Sequence, residues 1–179
     1  FLKNRPQELY NISPKGTVPV LCLSKSIIIE ESLNIMKWAL EQQDIESWFL
    51  SNINDQIAII TLCDNEFKQW LDKYKYHDRY PENNKNFYKK KCDEFLSHIN
   101  NLLNKNLYLF SNNISLSDVA IFPFVRQCAN VDMDWFTNKY IHTSKWLNNF
   151  ISSKLFLSVM DKYPEYQYKQ TPLIINFNK

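Results

Sequence analysis

A single glycine in 179 residues, Gly16, heads the segment that most constrains the fold, Ser13 to Met36. It precedes Thr17-Val18-Pro19-Val20-Leu21, a run that begins a strand. A second apolar run, Ile27 to Ile29, follows a short polar break, and Glu30-Glu31-Ser32 then opens an amphipathic helix. The order is a β-hairpin at roughly Val18 to Ile29 and a helix from Leu33 to Gln43. Pro19 at the head of a strand removes no ladder bond, because proline has no N–H to offer. A cis Val18–Pro19 bond, a state adopted by about 5–6% of such bonds, turns the N–H and C=O of Val18 away from the sheet. They are then free to pair with another backbone. Ser32 reads as the N-cap of the helix. The unpaired amides and positive end at that terminus favour a carboxylate, and Glu31 beside them accepts from an ammonium group. An α-amino acid head carries both charges, so this corner suits a γ-glutamyl group. The same residues also read as a plain hairpin and a capped helix with no ligand.

The segment resembles the second half of the thioredoxin-like domain of the glutathione transferase superfamily. In that family the residue before the cis-proline binds the cysteinyl backbone of glutathione, and a Glu-Ser pair binds its γ-glutamyl end. The resemblance therefore implies Val18, Glu31 and Ser32 as glutathione contacts, with Pro19 in a structural role. The opening Leu2-Lys3-Asn4-Arg5-Pro6 is similar to omega-class and related bacterial cysteine-type members, in which a Lys-Pro supplies a cation near the glycyl carboxylate. Here that cation is Arg5, which keeps the charge and allows a bidentate grip. The catalytic cysteine, serine or tyrosine of the family follows the first strand. The sequence begins at Phe1, at what reads as the end of the second strand, so the resemblance assigns no catalytic residue within it. Cys22, in the alternating pattern after Pro19, reads as a packed core thiol rather than a reactive one. The strand at Val18–Leu23 is then expected to lack its usual neighbour. The hairpin side is expected to be loosely held or dependent on another chain, and the helical part to stand on its own core.

A second signal lies in Asn113-Ile114-Ser115-Leu116-Ser117-Asp118-Val119. Ser115 and Asp118 have the spacing of a capping box, and Ile114 and Val119 that of a hydrophobic staple. The pattern resembles the motif before the central helix of the transferase α-helical domain, and its role is structural. The helix it opens, Leu116 to about Ala129, is apolar nearly all round and belongs inside a bundle. Pro123 within it removes one backbone bond and is expected to bend it.

The rest of the chain reads as helices at Pro6–Asn11, Gln56–Cys63, Glu66–Tyr76, Asn84–Asn104, Thr143–Ile151 and Lys154–Asp161. The Asn84–Asn104 segment carries Tyr88, Cys92, Phe95, Ile99 and Leu102 on one stripe. In Phe67–Tyr80, aromatics alternate with charges. This segment resembles one that flanks the cleft of bacterial family members and lines the pocket for an electrophilic substrate. The reading favoured by the residues themselves is an amphipathic helix with Phe67, Leu71 and Tyr74 in the core. Arg126 needs an acid if buried, with Asp118 and Asp132 as candidates.

Composition narrows the function classes. The chain is 45% apolar, enough for a core, but it has no 18-residue apolar window and no leader pattern. Its formal charge is +2. The one lysine run, Lys89-Lys90-Lys91, reads as a solvated helix face, which argues against a nucleic-acid partner. Cys22, Cys63, Cys92 and Cys128 stand far apart with no metal spacing, as do His77, His98 and His142. Neither a metal site nor a Cys-His dyad follows. Isolated cysteines fit a reducing cytoplasm.

The fold expected is α/β plus all-α and mostly helical. A partial thioredoxin-like domain, residues 1–43, is followed by a linker at 44–55. A helical bundle of the glutathione transferase C-terminal type spans 56–164, and a tail spans 165–179. The resemblance implies a glutathione-dependent transferase or thiol reductase, with glutathione as cosubstrate, a small electrophile or disulfide as second substrate, and a homodimer. Without a catalytic residue in the sequence, the chain is expected to be inactive by itself. The alternatives are a non-enzymatic binding or scaffold domain and a degenerate gene product.

Overall fold

The computed structural model describes residues 5–49, 52–167, 170–171 and 173–175. They fall into two compact units: residues up to Gln43 together with those from Lys154 onward, and Asp44–Ser153. No helix among the described residues is long and apolar enough to cross a membrane.

In the first unit, α1 (Gln7–Ile12) follows Pro6, whose fixed φ and missing N–H suit a helix start. Two short strands follow, β1 (Val20–Cys22) and β2 (Ile28–Glu30). They pair antiparallel in the register Val20–Glu30, Leu21–Ile29 and Cys22–Ile28. Ser24 closes the turn, its hydroxyl accepting from the amides of Ser26 and Ile27. The hairpin ladder is shorter than the apolar runs, because Val18 and Pro19 stay outside it. Helix α2 (Ser32–Gln42) follows directly. Gly16 sits at φ +60, in the left-handed region, and donates to the Ser13 carbonyl at 2.8 Å. A Cβ there would lie 2.3 Å from the Tyr10 ring, so glycine is required on two counts. Among the described residues of this unit only Ser13 and Gly16 are buried.

The second unit holds the apolar core. Every buried apolar residue described, from Ile59 to Phe150, belongs to it. Helix α3 (Ile53–Leu62) runs through a five-residue π-turn, Cys63–Phe67, into α4 (Lys68–Lys75). The break read between Cys63 and Glu66 is thus a widened turn within one continuous helical path. The turn buries Cys63 and Phe67, and Phe67 stacks on Phe95 with ring centroids 4.5 Å apart. Leu71 and Tyr74 are buried as well, so the Phe67–Tyr80 segment supplies core residues.

Helix α5 (Lys85–Leu103) is capped by Asn84, which accepts from the Phe87 amide at 2.9 Å. Its buried stripe is Tyr88, Cys92, Phe95, Leu96, Ile99 and Leu103, with Leu103 in the place expected for Leu102. Helix α6 (Leu116–Ala129) continues through Pro123, which lies on its exposed side where the lost backbone bond faces solvent. Helix α7 (Met133–Lys139), absent from the sequence reading, starts on Asp132, whose carboxylate accepts from the Trp135 amide at 3.1 Å. Helix α8 (Ile141–Ile151) follows. Asn100 of α5 secures its first turn, accepting from the amides of His142 and Thr143, each at 3.1 Å. In the first unit, α9 (Lys154–Ser158) is short, and the described residues beyond it form no regular element.

Asp118 is the polar hub of this core and is fully buried. One carboxylate oxygen accepts from the Ser115 N–H at 3.0 Å, which is the returning half of the capping box. The other accepts from the Leu109 amide at 3.0 Å and the Trp146 indole at 2.9 Å. One side chain thereby fixes the start of α6, the preceding connection and α8. Burial pushes the Asp118 carboxyl above the usual carboxylate range, and its donors only partly offset this. Arg126, on the same helix, is half-buried. Asp132 pairs with Lys89 at 2.7 Å.

Candidate functional site

The residues singled out for ligand recognition all belong to the first unit. The ladder's first pair is Val20–Glu30, and Val18 and Ser32 each lie two residues beyond it. Val18 and the Glu31-Ser32 pair therefore flank the same end of the hairpin. The Val18–Pro19 peptide is cis, and Val18 is 54% exposed. Glu31 and Ser32 are exposed as well.

Glu31 has φ +70 and ψ 133, one of two non-glycine residues with positive φ among those described. A side chain in that region costs on the order of 1–3 kcal/mol and is kept where the surroundings impose it. Here the surroundings are specific. The Asn34 side chain donates to the Glu30 carbonyl at 3.1 Å, and the Glu31 carbonyl accepts the Ile35 amide at 3.1 Å. Ser13, buried behind β2, donates its hydroxyl to the Glu30 carboxylate. The backbone on both sides of Glu31 is thus pinned while its own side chain faces solvent.

This corrects one expectation. Glu31, not Ser32, occupies the N-cap position of α2, and Ser32 is the first helical residue. No side chain among the described residues caps that terminus, so its first amides keep their donor capacity for an external acceptor. Positive φ at Glu31 was not legible, because the residue is not glycine. The Asn34 bond had one sequence signal, its i+4 spacing from Glu30.

Arg5 is half-buried, and its Nε has no hydrogen-bond partner among the described residues. Among the described residues no hydrogen bond or ion pair joins it to Val18, Glu31 or Ser32. Phe1, Leu2, Lys3 and Asn4, which carry the rest of the opening motif, lie outside the described residues.

Cys22 is a second correction. It is exposed rather than packed, with its Sγ 3.1 Å from the Ser24 carbonyl in the hairpin turn. Alternation along a strand assigns a face but does not supply a layer to cover it. The other three thiols are buried. Burial, with Asp64 adding to it, pushes Cys63 up to about 12. Cys128 is raised by its hydrogen bond with Cys92 and by burial. Thiols so placed stay protonated at neutral pH. Among the described residues no three His, Cys, Asp or Glu side chains are grouped to hold a metal.

The family model described as "Glutathione S-transferase, C-terminal domain" matches residues 65–165, more than half of the chain. No curated protein sequence matches significantly. Among solved structures, a class Gtt2 glutathione S-transferase of Vibrio parahaemolyticus is similar at 18% identity and a TM-score of 0.69. That match covers 86% of this chain and 76% of the other. A glutathione S-transferase from Rhodospirillum rubrum is similar at 14% identity and a TM-score of 0.72, covering 91% of this chain and 79% of that one. The glutathione transferase URE2P6 from Phanerochaete chrysosporium, solved in complex with oxidized glutathione, matches at 14% identity and a TM-score of 0.72. Here the shares are 85% and 75%. At these identities the structures establish the fold.

Proposed function

Because this chain belongs to the glutathione S-transferase superfamily, we propose that its N-terminal unit binds glutathione at the Val18/Glu31-Ser32 end of the hairpin. Val18's backbone pairs with the cysteinyl residue, the α2 amides and Ser32 take the γ-glutamyl carboxylate, and Glu31 takes its ammonium group. Arg5 provides the cation for the glycyl carboxylate. The observation that carries this reading is the backbone of Glu31. A residue held at φ +70 by Asn34 and Ile35 presents an acid beside uncapped helix amides. An acid and a set of amide donors side by side match the two charges of an amino-acid head.

The test is calorimetric titration with glutathione. Charge-assisted bonds contribute about 1.5–3 kcal/mol each before solvent screening. Because Glu31 is exposed, we expect Glu31→Ala to weaken binding by at least about fivefold. Equal affinity in parent and variant contradicts the assignment.

Chemistry is a separate matter. In a glutathione-dependent transferase or thiol reductase of the cysteine type, the nucleophile is a thiolate activated beside bound glutathione. Buried Cys63 and Cys128 are protonated, and the thiol of Cys22 points to a carbonyl acceptor. These states favour a binding or scaffold role for the residues present. We expect the 179-residue protein to stay at background rate with glutathione and either a chloronitrobenzene or a disulfide substrate. A rate well above background that disappears in Cys22→Ser would reverse this reading and make Cys22 the nucleophile.

A further inference from the structure

The helical unit carries a cleft of about 300 Å3 between the C-terminal end of α5, the 104–112 connection and α8. His142, Lys145 and Asn149 stand on one face of α8, because residues three and four apart neighbour each other along a helix. Lys105 and Asn106 line the cleft from the connection. Among the described residues no acidic side chain lines it. Among the described residues neither Lys105 nor Lys145 enters an ion pair, unlike Lys68, Lys73, Lys89, Lys91 and Lys139 of the same unit, which each sit beside an acid.

Both walls are fixed from behind. Asn112 accepts the Leu107 amide at 3.1 Å, which holds the connection, and Asn100 holds the first turn of α8. Trp146, buried, has its indole N–H engaged by Asp118, so it offers ring surface rather than a donor. The cleft therefore exists before any ligand arrives. Its chemistry is two un-neutralised ammonium groups, carboxamide and imidazole groups, and an apolar floor. A cation is repelled by the lysines, and a neutral apolar molecule would cover them without offering an acceptor. A monovalent anion leaves one of the two charges uncompensated.

We propose that this cleft binds a small multiply charged oxyanion, a phosphoryl compound or a polycarboxylate. Lys105 and Lys145 supply the opposing charge, and Asn106 and Asn149 supply neutral hydrogen bonds. None of its residues is among those proposed for glutathione.

The experiment is calorimetric titration of the whole protein with inorganic pyrophosphate and, in a second series, citrate, at ionic strength fixed with sodium chloride. Saturable one-to-one binding of either is expected. Saturation with pyrophosphate alone identifies a phosphoryl ligand, and saturation with citrate alone a polycarboxylate. The double variant Lys105→Gln/Lys145→Gln, both exposed positions, is expected to bind at least about tenfold more weakly with an unchanged thermal midpoint. The proposal is overturned if neither anion saturates the parent, or if the double variant binds them with equal affinity.

Discussion

Asp118→Ala is expected to lower the thermal midpoint of the helical unit more than any other polar substitution. The side chain is fully buried and accepts from the Ser115 and Leu109 amides and the Trp146 indole. An N-cap alone contributes about 0.5–2 kcal/mol. Here alanine also strands buried donors, each at about 1–3 kcal/mol. A total of at least about 3 kcal/mol corresponds to roughly 10–20 °C in a unit of this size. Asp118→Asn keeps the volume but replaces one acceptor oxygen by a donor group, so it should also fall well below the parent. A midpoint in Asp118→Ala within a degree or two of the parent, measured by circular dichroism, shows that the network is not formed.

Asp93→Asn is the second large effect, and it is read most clearly in acid. Asp93 of α5 accepts from the Tyr140 hydroxyl, from Lys139 Nζ at 2.5 Å and from Ser97 Oγ at 3.3 Å. Partial burial pushes its carboxyl up, but these donors together hold it below the usual carboxylate range. A depressed carboxyl stabilises the fold above its unfolded pKa of about 3.9, and that stability is lost as pH falls through the lower folded value. Asp118, shifted the other way, works in the opposite sense, favouring the fold when protonated and losing that contribution as pH rises through its folded value. The parent should therefore lose stability below about pH 4 through Asp93. Asp93→Asn should start about 2 kcal/mol less stable at neutral pH and show a shallower acid limb. Denaturant titrations at neutral and acid pH give both quantities. Parallel pH curves for variant and parent remove Asp93 from this role.

The helical half of the fold was legible because its signals are local and redundant. The box Ser115–Asp118 and the apolar run behind it gave α6 its limits, and the stripe from Tyr88 to Ile99 gave α5 its core face. What the sequence hid needed three dimensions. Asp118 showed its cap partner but not Leu109 and Trp146, which reach it across the fold. Helix α7 was missed because its seven residues are too few for a period to show. The π-turn at Cys63–Phe67 mimics a gap in periodicity while keeping the helical path.

The end of the hairpin proposed for recognition was marked in the sequence by residue type, and its geometry was not. Val18, Pro19, Glu31 and Ser32 were readable as a group because strand, proline and acid-serine pair follow in fixed order. The backbone of Glu31 was not, since nothing in a glutamate marks a positive φ. That one torsion shifted the cap by a residue and left the α2 amides open. Cys22 went wrong for a related reason, since alternation along a three-residue strand does not tell which face another layer covers, and Cys22 is exposed.

The most direct test of glutathione recognition is an amide chemical-shift titration of isotope-labelled protein with reduced glutathione. Binding at the proposed end predicts that the largest perturbations fall on Val18, Glu31, Ser32 and the first turn of α2, with the α5–α8 cleft unmoved. No shifts at saturating glutathione, or shifts confined to the helical unit, contradict it.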